Sequence, residues 1–398
     1  MQSTSPAPAL SVSPGSLAAA FATVPDPRRV ASVRYPLAAI LAMTVAAILS
    51  NHVSVLAISE WAARQEAALL TALGFPTTHT PCQSTLQRLF AKLDGPALGT
   101  VVAAAVASAA TPANATLQGV AIDGKAQRGR LQFAAGGCPV HALSAFCHDA
   151  GLVLAQEPIQ APAGTDRGEA ELTVAPTLIA RLDWHGRVLT GDAVFCQRDL
   201  CKQVLKAGGD YLVAVKQNQK TLYRDIALLF DPPDDLRTLP LMDRREAETL
   251  DYGHGRTLER RVLIASTDLT SYLDWPGQAQ VLRFERTWRE REMVRQAVSY
   301  AITSLSPERA DPTRLLSLKR GHWGIENYLH RCKDVNLAED ASLIHRGQGP
   351  HVMALLRDTA VSVLHAAGVR QVAARLRQHS QHPDQAVALV ISPLLTCA

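Results

Sequence analysis

The chain has 398 residues, 47% hydrophobic and 5% aromatic, with a formal net charge of +4. That length allows two or three domains and a large core built mainly from Ala, Leu and Val. The seven cysteines are odd in number and scattered, which argues against a disulfide framework and for a reducing cytosol. No complete GxxxxGK[ST] motif is present, since GVAIDGK is followed by Ala126, so a P-loop NTPase is not supported.

Residues 1–24 are rich in Ser, Pro and Ala and read as a disordered leader without the basic and apolar blocks of a secretory signal. Residues 25–116 read as a helical domain. Its most apolar run, residues 36–49, is shorter than the ~20 residues a bilayer span needs and reads as a buried helix. A second helix is expected over residues 54–73, stopped by Gly74 and Pro76. A third follows Ser84, with Leu86, Leu89, Phe90 and Leu93 inward. Two short helices joined near a Gly/Pro turn suggest a helix-turn-helix. Gln83, Thr85, Gln87, Arg88 and Lys92 would then face a major groove, against the plainer reading of a helical hairpin.

From residue 117 the character becomes strand-like, and 117–238 reads as the first part of an α/β core. LQGVAIDGK closes an apolar run at Asp123, residues 141–159 read as a hairpin, and RVLTGDAVF is a strand ending at Asp192. Helices are expected over ELTVAPTLIARLDW, CQRDLCKQVLKAGG and QKTLYRDIALLF, giving a mixed sheet with helices on its faces. Residues 239–304 form a β-rich insert dense in arginine: Arg256, Arg260, Arg261, Arg283, Arg286, Arg289, Arg291 and Arg295. Alternation would place many of them on one face, either tracking phosphates or balanced by Glu259, Glu285, Glu290 and Glu292. Residues 305–398 return to the core and end in helices.

Within that last part, LKRGHWGIENYLHRCKDVNLAED reads as an amphipathic helix. Ile325, Tyr328, Leu329 and Cys332 fall on one side, with His322, Glu326, His330 and Lys333 beside them. In an α/β sheet, residues just beyond strand carboxyl ends gather at one edge. Asp123 and Asp192 on neighbouring strands, with Glu326 on a packed helix, would then make three anionic ligands around one hole. Such a cluster is costly without a cation. Carboxylates suit Mg²⁺ or Mn²⁺, and two such ions can drive an in-line phosphoryl displacement. Lys125 and Lys333 could then neutralise phosphate oxygens. Cys138, His141, Cys147 and His148 offer a weaker zinc set, since no second CxxC-type pair follows.

Several motifs together carry a family likeness: DPRR with RYPL, AIDGK, VHALSAF, TGDAVFCQ, GGDYLVAVKQNQ, HGRTLERR, and HWGIENYLH with KDVNLAED. The chain resembles DDE-type insertion-sequence transposases of the insertion-sequence-four superfamily, within the ISAs-one group that includes H-repeat-associated proteins. The resemblance implies an RNase H-like catalytic core, with a β-rich insertion before the last catalytic residue and an all-helical N-terminal domain. It implies Asp123, Asp192 and Glu326 as the metal-binding catalytic triad, with two Mg²⁺ or Mn²⁺ ions. Lys333 falls on the lysine expected to contact the transposon end, and Lys319 and His322 stand where the wider superfamily has tyrosine and arginine. Lys125, Asn218, His322, Lys333, Arg88 and Lys92 are thus the candidate DNA contacts. The implied partners are double-stranded DNA, as terminal inverted repeats and target, and a second copy of the chain on DNA. No membrane partner is implied, and the implied place is the bacterial cytoplasm at the nucleoid. The alternatives are an inactive or domesticated DNA-binding derivative and a structure-selective nuclease on the same fold.

Overall fold

β1 (Gln118–Ala126) is the strand on which the chain passes from one packing unit into another. The computed structural model describes residues 12–109, 117–126, 141–159, 167–233, 241–252, 258–290 and 293–394. Unit one comprises Met1–Ala113, Gly124–Ala163 and Glu326–Ala398, and unit two Asn114–Asp123 and Gly164–Ile325.

Unit one is built around two apolar helices. α2 (Leu37–Leu49) starts on Pro36 and buries every residue except Ala38, which is what its unbroken Ala/Leu/Ile composition requires. The C-terminal counterpart runs over Gly349–Ala366 and is buried from Gly349 to Leu364. Between them in sequence come Val55–Ala63 (α3), Ala67–Ala72 (α4), Gln83–Phe90 (α5) and Gly95–Ala109 (α6). The helix expected over 54–73 is therefore two helices. Ser54 caps the first, its Oγ accepting from Ala57 N at 3.1 Å, and a break at residues 64–66 separates them.

The expected leader needs correcting in its described part. α1 (Leu17–Phe21) buries Leu17 and Phe21 at 0% and 1% exposure, and Ser13 N donates to Ile391 O at 2.8 Å. Its two large apolar side chains find a core against α2, α6 and the helix Pro383–Ile391, all distant in sequence. Local composition could not show that.

Unit one also holds the antiparallel hairpin β2 (His141–Cys147) and β3 (Leu152–Ile159). Gly151, at φ +67°, turns it where a Cβ would stand 2.9 Å from the His365 ring, so only glycine fits. Its strand order is β3-β2-β1.

In unit two the order is β1-β4-β5-β9-β8-β7-β6, with β4 (Arg187–Gly191), β5 (Asp210–Val215), β6 (Arg245–Tyr252), β7 (Leu258–Ser266), β8 (Gln280–Glu290) and β9 (Met293–Thr303). β1, β4 and β5 are parallel, and β5, β9, β8, β7 and β6 are successively antiparallel. The core order 3-2-1-4-5, with its opening hairpin and parallel centre, is the RNase H-like arrangement, and β6 to β9 are the β-rich insertion. α7 (Arg167–Ala180) continues through Pro176. α8 (Arg198–Lys206) and α9 (Lys220–Phe230) follow their strands as expected. α10 (Pro312–Gly321) starts on an Asp311 cap and packs Leu315, Leu316 and Leu318 into a core with Leu263, Ala265, Leu282, Phe284 and Ala301.

The insert's arginines do not share one face. Register puts Arg261, Arg286 and Arg295 on one side and Arg260, Arg283 and Arg289 on the other. Four of them are engaged by acids. Arg260 meets Glu248 at 2.7 Å, Arg283 meets Asp231 at 2.9 Å and Glu285 at 2.8 Å, and Arg261 and Arg286 share Glu259. For these the charge-balanced sheet is the reading the structure carries. Arg256 and Arg291 lie outside the described residues.

Asp243, just before β6, takes two bonds from the Arg245 guanidinium at 2.8 and 2.7 Å and two from Thr267. Arg245 leads in holding its carboxyl down to about 2, against burial. A carboxyl lowered on folding stabilises the fold above its unfolded pKa, and that contribution fades as pH falls through the folded value. The midpoint difference between the wild type and Asp243→Asn in urea titrations should be present at pH 6. It should shrink between about pH 4 and pH 2.

Candidate functional site

The two aspartates come first, because one parallel strand pair sets both. Ala121 on β1 lies opposite Thr190 on β4. Two residues further along each strand stand Asp123 and Asp192, at matching positions on the carboxyl edge of neighbouring strands. Asp123 is half-buried within β1, and Asp192 is exposed just past β4. Asp192 Oδ1 accepts from Val194 N at 2.9 Å, capping a short 3-10 turn at Ala193–Phe195.

Gly191 makes that turn feasible, since a Cβ there would stand 2.9 Å from the Phe195 Cβ. Gly191→Ala is expected to cost about 1–3 kcal/mol by overpacking. It should displace Asp192, and a smaller side chain at Phe195 should recover part of the loss in a double-mutant cycle read by urea unfolding.

Three further groups of unit two face this edge. Lys319, half-buried near the end of α10, lies 5.4 Å from the Phe284 ring centroid. Burial lowers its ammonium to about 8, Lys216 adds to the drop, and Asp192 opposes it. His322 Nδ1 lies 3.3 Å from Thr190 Oγ1, and burial, then Lys319, bring its imidazole down to about 4. It is therefore neutral near pH 7 and offers a hydrogen bond, not a cation, to any bound phosphate. Asn218 Nδ2 donates to Ala193 O at 2.6 Å, so this expected DNA contact braces the turn that carries Asp192.

Glu326 belongs to unit one, in a segment whose winding differs from expectation. The α-helix ends at Gly321, and two π-helical turns follow, Ile325–His330 and Cys332–Asn336. The wider i→i+5 turn rotates the buried side. Ile325, Leu329 and Cys332 are buried as expected, but Tyr328 is 56% exposed and His330 and Lys333 turn inward. Glu326 is exposed, and its Oε2 lies 3.1 Å from His330 Nδ1. Burial lowers the His330 imidazole while Glu326 pulls it upward.

Two expected phosphate contacts are corrected here. Lys333 is 2% exposed, with its ammonium 2.7 Å from Asp358 Oδ1 and 3.3 Å from Glu339 Oε1. Those two acids hold it above the ordinary lysine range despite burial. Lys125 Nζ lies 2.6 Å from Asp334 Oδ2. Lys333 is withheld from solvent and Lys125 is half-buried, each drawn to an acid that α-helical spacing did not place beside it. Arg88 and Lys92 are exposed, at and just past the end of α5. Of the zinc set, Cys138 lies outside the described residues and Cys147 is buried in β2.

The family described as Transposase DDE domain matches residues 115–364, and the DDE_Tnp_1-associated family matches residues 18–105. The chain belongs to the transposase DDE family. Among relatives, YncI of Escherichia coli O157:H7, named as a candidate transposase, is 26% identical over 351 residues, 86% of each chain. YhhI of Escherichia coli K12, named as an H repeat-associated candidate transposase, is 30% identical over 254 residues, 62% of this chain and 63% of YhhI. A solved piggyBac transposase synaptic complex with hairpin DNA matches with 11% identity and a TM-score of 0.41, covering 94% of this chain and 80% of that one.

The family match spans Asp123, Asp192 and Glu326. Carboxylate oxygens at matching register on two adjacent strands are the donors that hard divalent cations take. Lys216 and Thr190 were not picked from sequence as site residues, since nothing local marks a lysine or threonine that another element will face, and Lys319 was marked only by its place in the family motif. The signal that was available is position: Thr190 and Lys216 sit at or beside the ends of parallel strands, where Asp123 and Asp192 were found.

Proposed function

We propose that the protein is a DNA transposase that uses Mg²⁺ or Mn²⁺ to cut DNA at the ends of an insertion sequence and to join the freed ends to target DNA. The observation that carries this reading is the DDE family match over residues 115–364, with both aspartates at matching register positions on adjacent parallel strands. Asp123, Asp192 and Glu326 hold two ions. Bound there, the cations would activate the attacking oxygen and offset charge on the phosphate.

The chain's own groups do the rest. Asp192 is held in place by its turn, which Asn218 braces. Glu326 is oriented by His330. Lys319, still largely charged near neutral pH, draws phosphate oxygens toward the two aspartates, and neutral His322 donates or accepts a hydrogen bond beside it. Water attacks a phosphorus at the element end, the bond to the 3′ oxygen breaks, and that oxygen leaves with a proton as a 3′ hydroxyl. The hydroxyl then attacks a target phosphodiester, exchanging one P–O bond for another. Arg88 and Lys92 contact backbone phosphates of the terminal repeats, and a second copy of the chain holds the other end.

The test is a footprint on the inverted repeats flanking the protein's own gene, followed by incubation of that duplex with the protein and Mg²⁺. A nick at the repeat end with a 3′ hydroxyl, then a strand-transfer product on target DNA, is expected. Full occupancy of the repeats with no metal-dependent cut would overturn the reading, and cutting with no joined product would favour a nuclease.

A further inference from the structure

The turn that presents Glu326 is held from behind at two places, both by lysines. π-helical winding is rare and short-lived in sequence, so a segment that adopts it twice in succession needs side-chain anchors. The first anchor is Lys125, near the end of β1, whose ammonium lies 2.6 Å from Asp334 in the second π turn, with side-chain exposures of 12% and 35%. The second is Lys333, one residue earlier in that turn, bound to Asp358 at 2.7 Å and Glu339 at 3.3 Å. Gln156 on β3 donates to the other oxygen of Asp358, and Arg357 lies 3.8 Å from Glu339 and donates to Val53 O at 3.4 Å. These contacts all fall within one packing unit, and together they tie the π turns to β1, β3 and the helix Gly349–Ala366.

A phosphate contact by Lys333 would require its ammonium to leave its acids. That would leave Asp358 and Glu339, exposed at 2% and 1%, without their cation in the interior. His330 sits between this anchor and the site. It is 4% exposed, it feels the Lys333 charge, and it lies against Glu326.

We propose that Lys125 and Lys333 are positioning residues. Their ion pairs hold the π-helical turn against the end of β1 and the helix behind it, so that Glu326 stands where a metal ion needs it, and neither lysine contacts DNA. The inference rests on the function proposed above.

A charge swap separates the two roles of Lys125. Lys125→Asp and Asp334→Lys should each weaken Mn²⁺ binding by about 10–100-fold, the usual scale for removing a group that orients a metal ligand. The double swap should bind Mn²⁺ within about threefold of the wild type, since the pair re-forms with its ends exchanged. Lys125→Gln and Lys333→Met should leave repeat-DNA affinity, measured without divalent metal, and its salt slope unchanged. A phosphate contact would instead lower affinity and reduce that slope by about 1.

No recovery in the double swap, or a loss of DNA affinity in Lys125→Gln, overturns the proposal. If the wild type binds no Mn²⁺, the metal-dependent function falls separately. The anchors are then judged by hydrogen exchange of amides 325–336, which should be fast in each single variant and slow again in the swap. An unchanged exchange pattern in the single variants would overturn the anchors as well.

Discussion

Glu326→Ala is expected to lower metal-dependent nicking of a repeat duplex by about 10³-fold or more while leaving the urea midpoint of the protein nearly unchanged. The magnitude follows from what a bound cation supplies. A cation bound there would supply several kcal/mol of stabilisation at the phosphate, and about 1.4 kcal/mol is tenfold in rate. The small stability effect follows from exposure, because Glu326 stands at the surface and its loss opens no cavity. Asp123→Ala and Asp192→Ala should abolish nicking to the same degree. Asp192→Ala should also cost about 1 kcal/mol, because Val194 N loses the carboxylate that caps its turn. Nicking assays with each variant, run beside urea titrations, check the split. Turnover retained in all three would remove the catalytic assignment.

Lys333→Ala is expected to cost about 3–5 kcal/mol of folding free energy, the usual scale for stranding a buried charge. Asp358 and Glu339 would be left to repel each other in the interior, with the Arg357 guanidinium 3.8 Å from Glu339 offsetting only part of that charge. Replacing a complete ion pair is far cheaper than breaking one. Lys333→Met combined with Asp358→Asn should therefore recover a large part of the loss, with a positive coupling in the double-mutant cycle. Urea unfolding of the two single variants and the double one measures this. Equal additive losses would mean that the two side chains do not act as a pair.

One short segment thus carries both a proposed metal ligand and a buried ion pair. Residue 326 faces outward, while residue 333 faces inward against Asp358 and Glu339. α-Helical spacing put both on one edge, and the same spacing put Tyr328 among the buried residues. The π turns are what separate them, and hydrophobic periodicity at 3.6 residues per turn cannot register a change of winding.

What could be read from the residues alone is what local patterning controls. The apolar run at residues 36–49 could only be a buried helix. The apolar runs before Asp123 and Asp192 marked two strands, of which β4 stops before its aspartate and β1 runs on to Ala126, and the motif set pointed to the family to which the chain belongs. The folding of residues 17–21 against the C-terminal helices, the split of the insert's arginines between two faces, and the burial of Lys333 belong to the tertiary structure. Each depends on a partner far away in the chain: Ile391 for the N-terminal segment, strand register for the arginines, Asp358 for the lysine. Short-range sequence carries the tendency of a segment to coil or extend. Which charge meets which is decided by long-range packing, where the cost of leaving a buried ion alone selects the pairing.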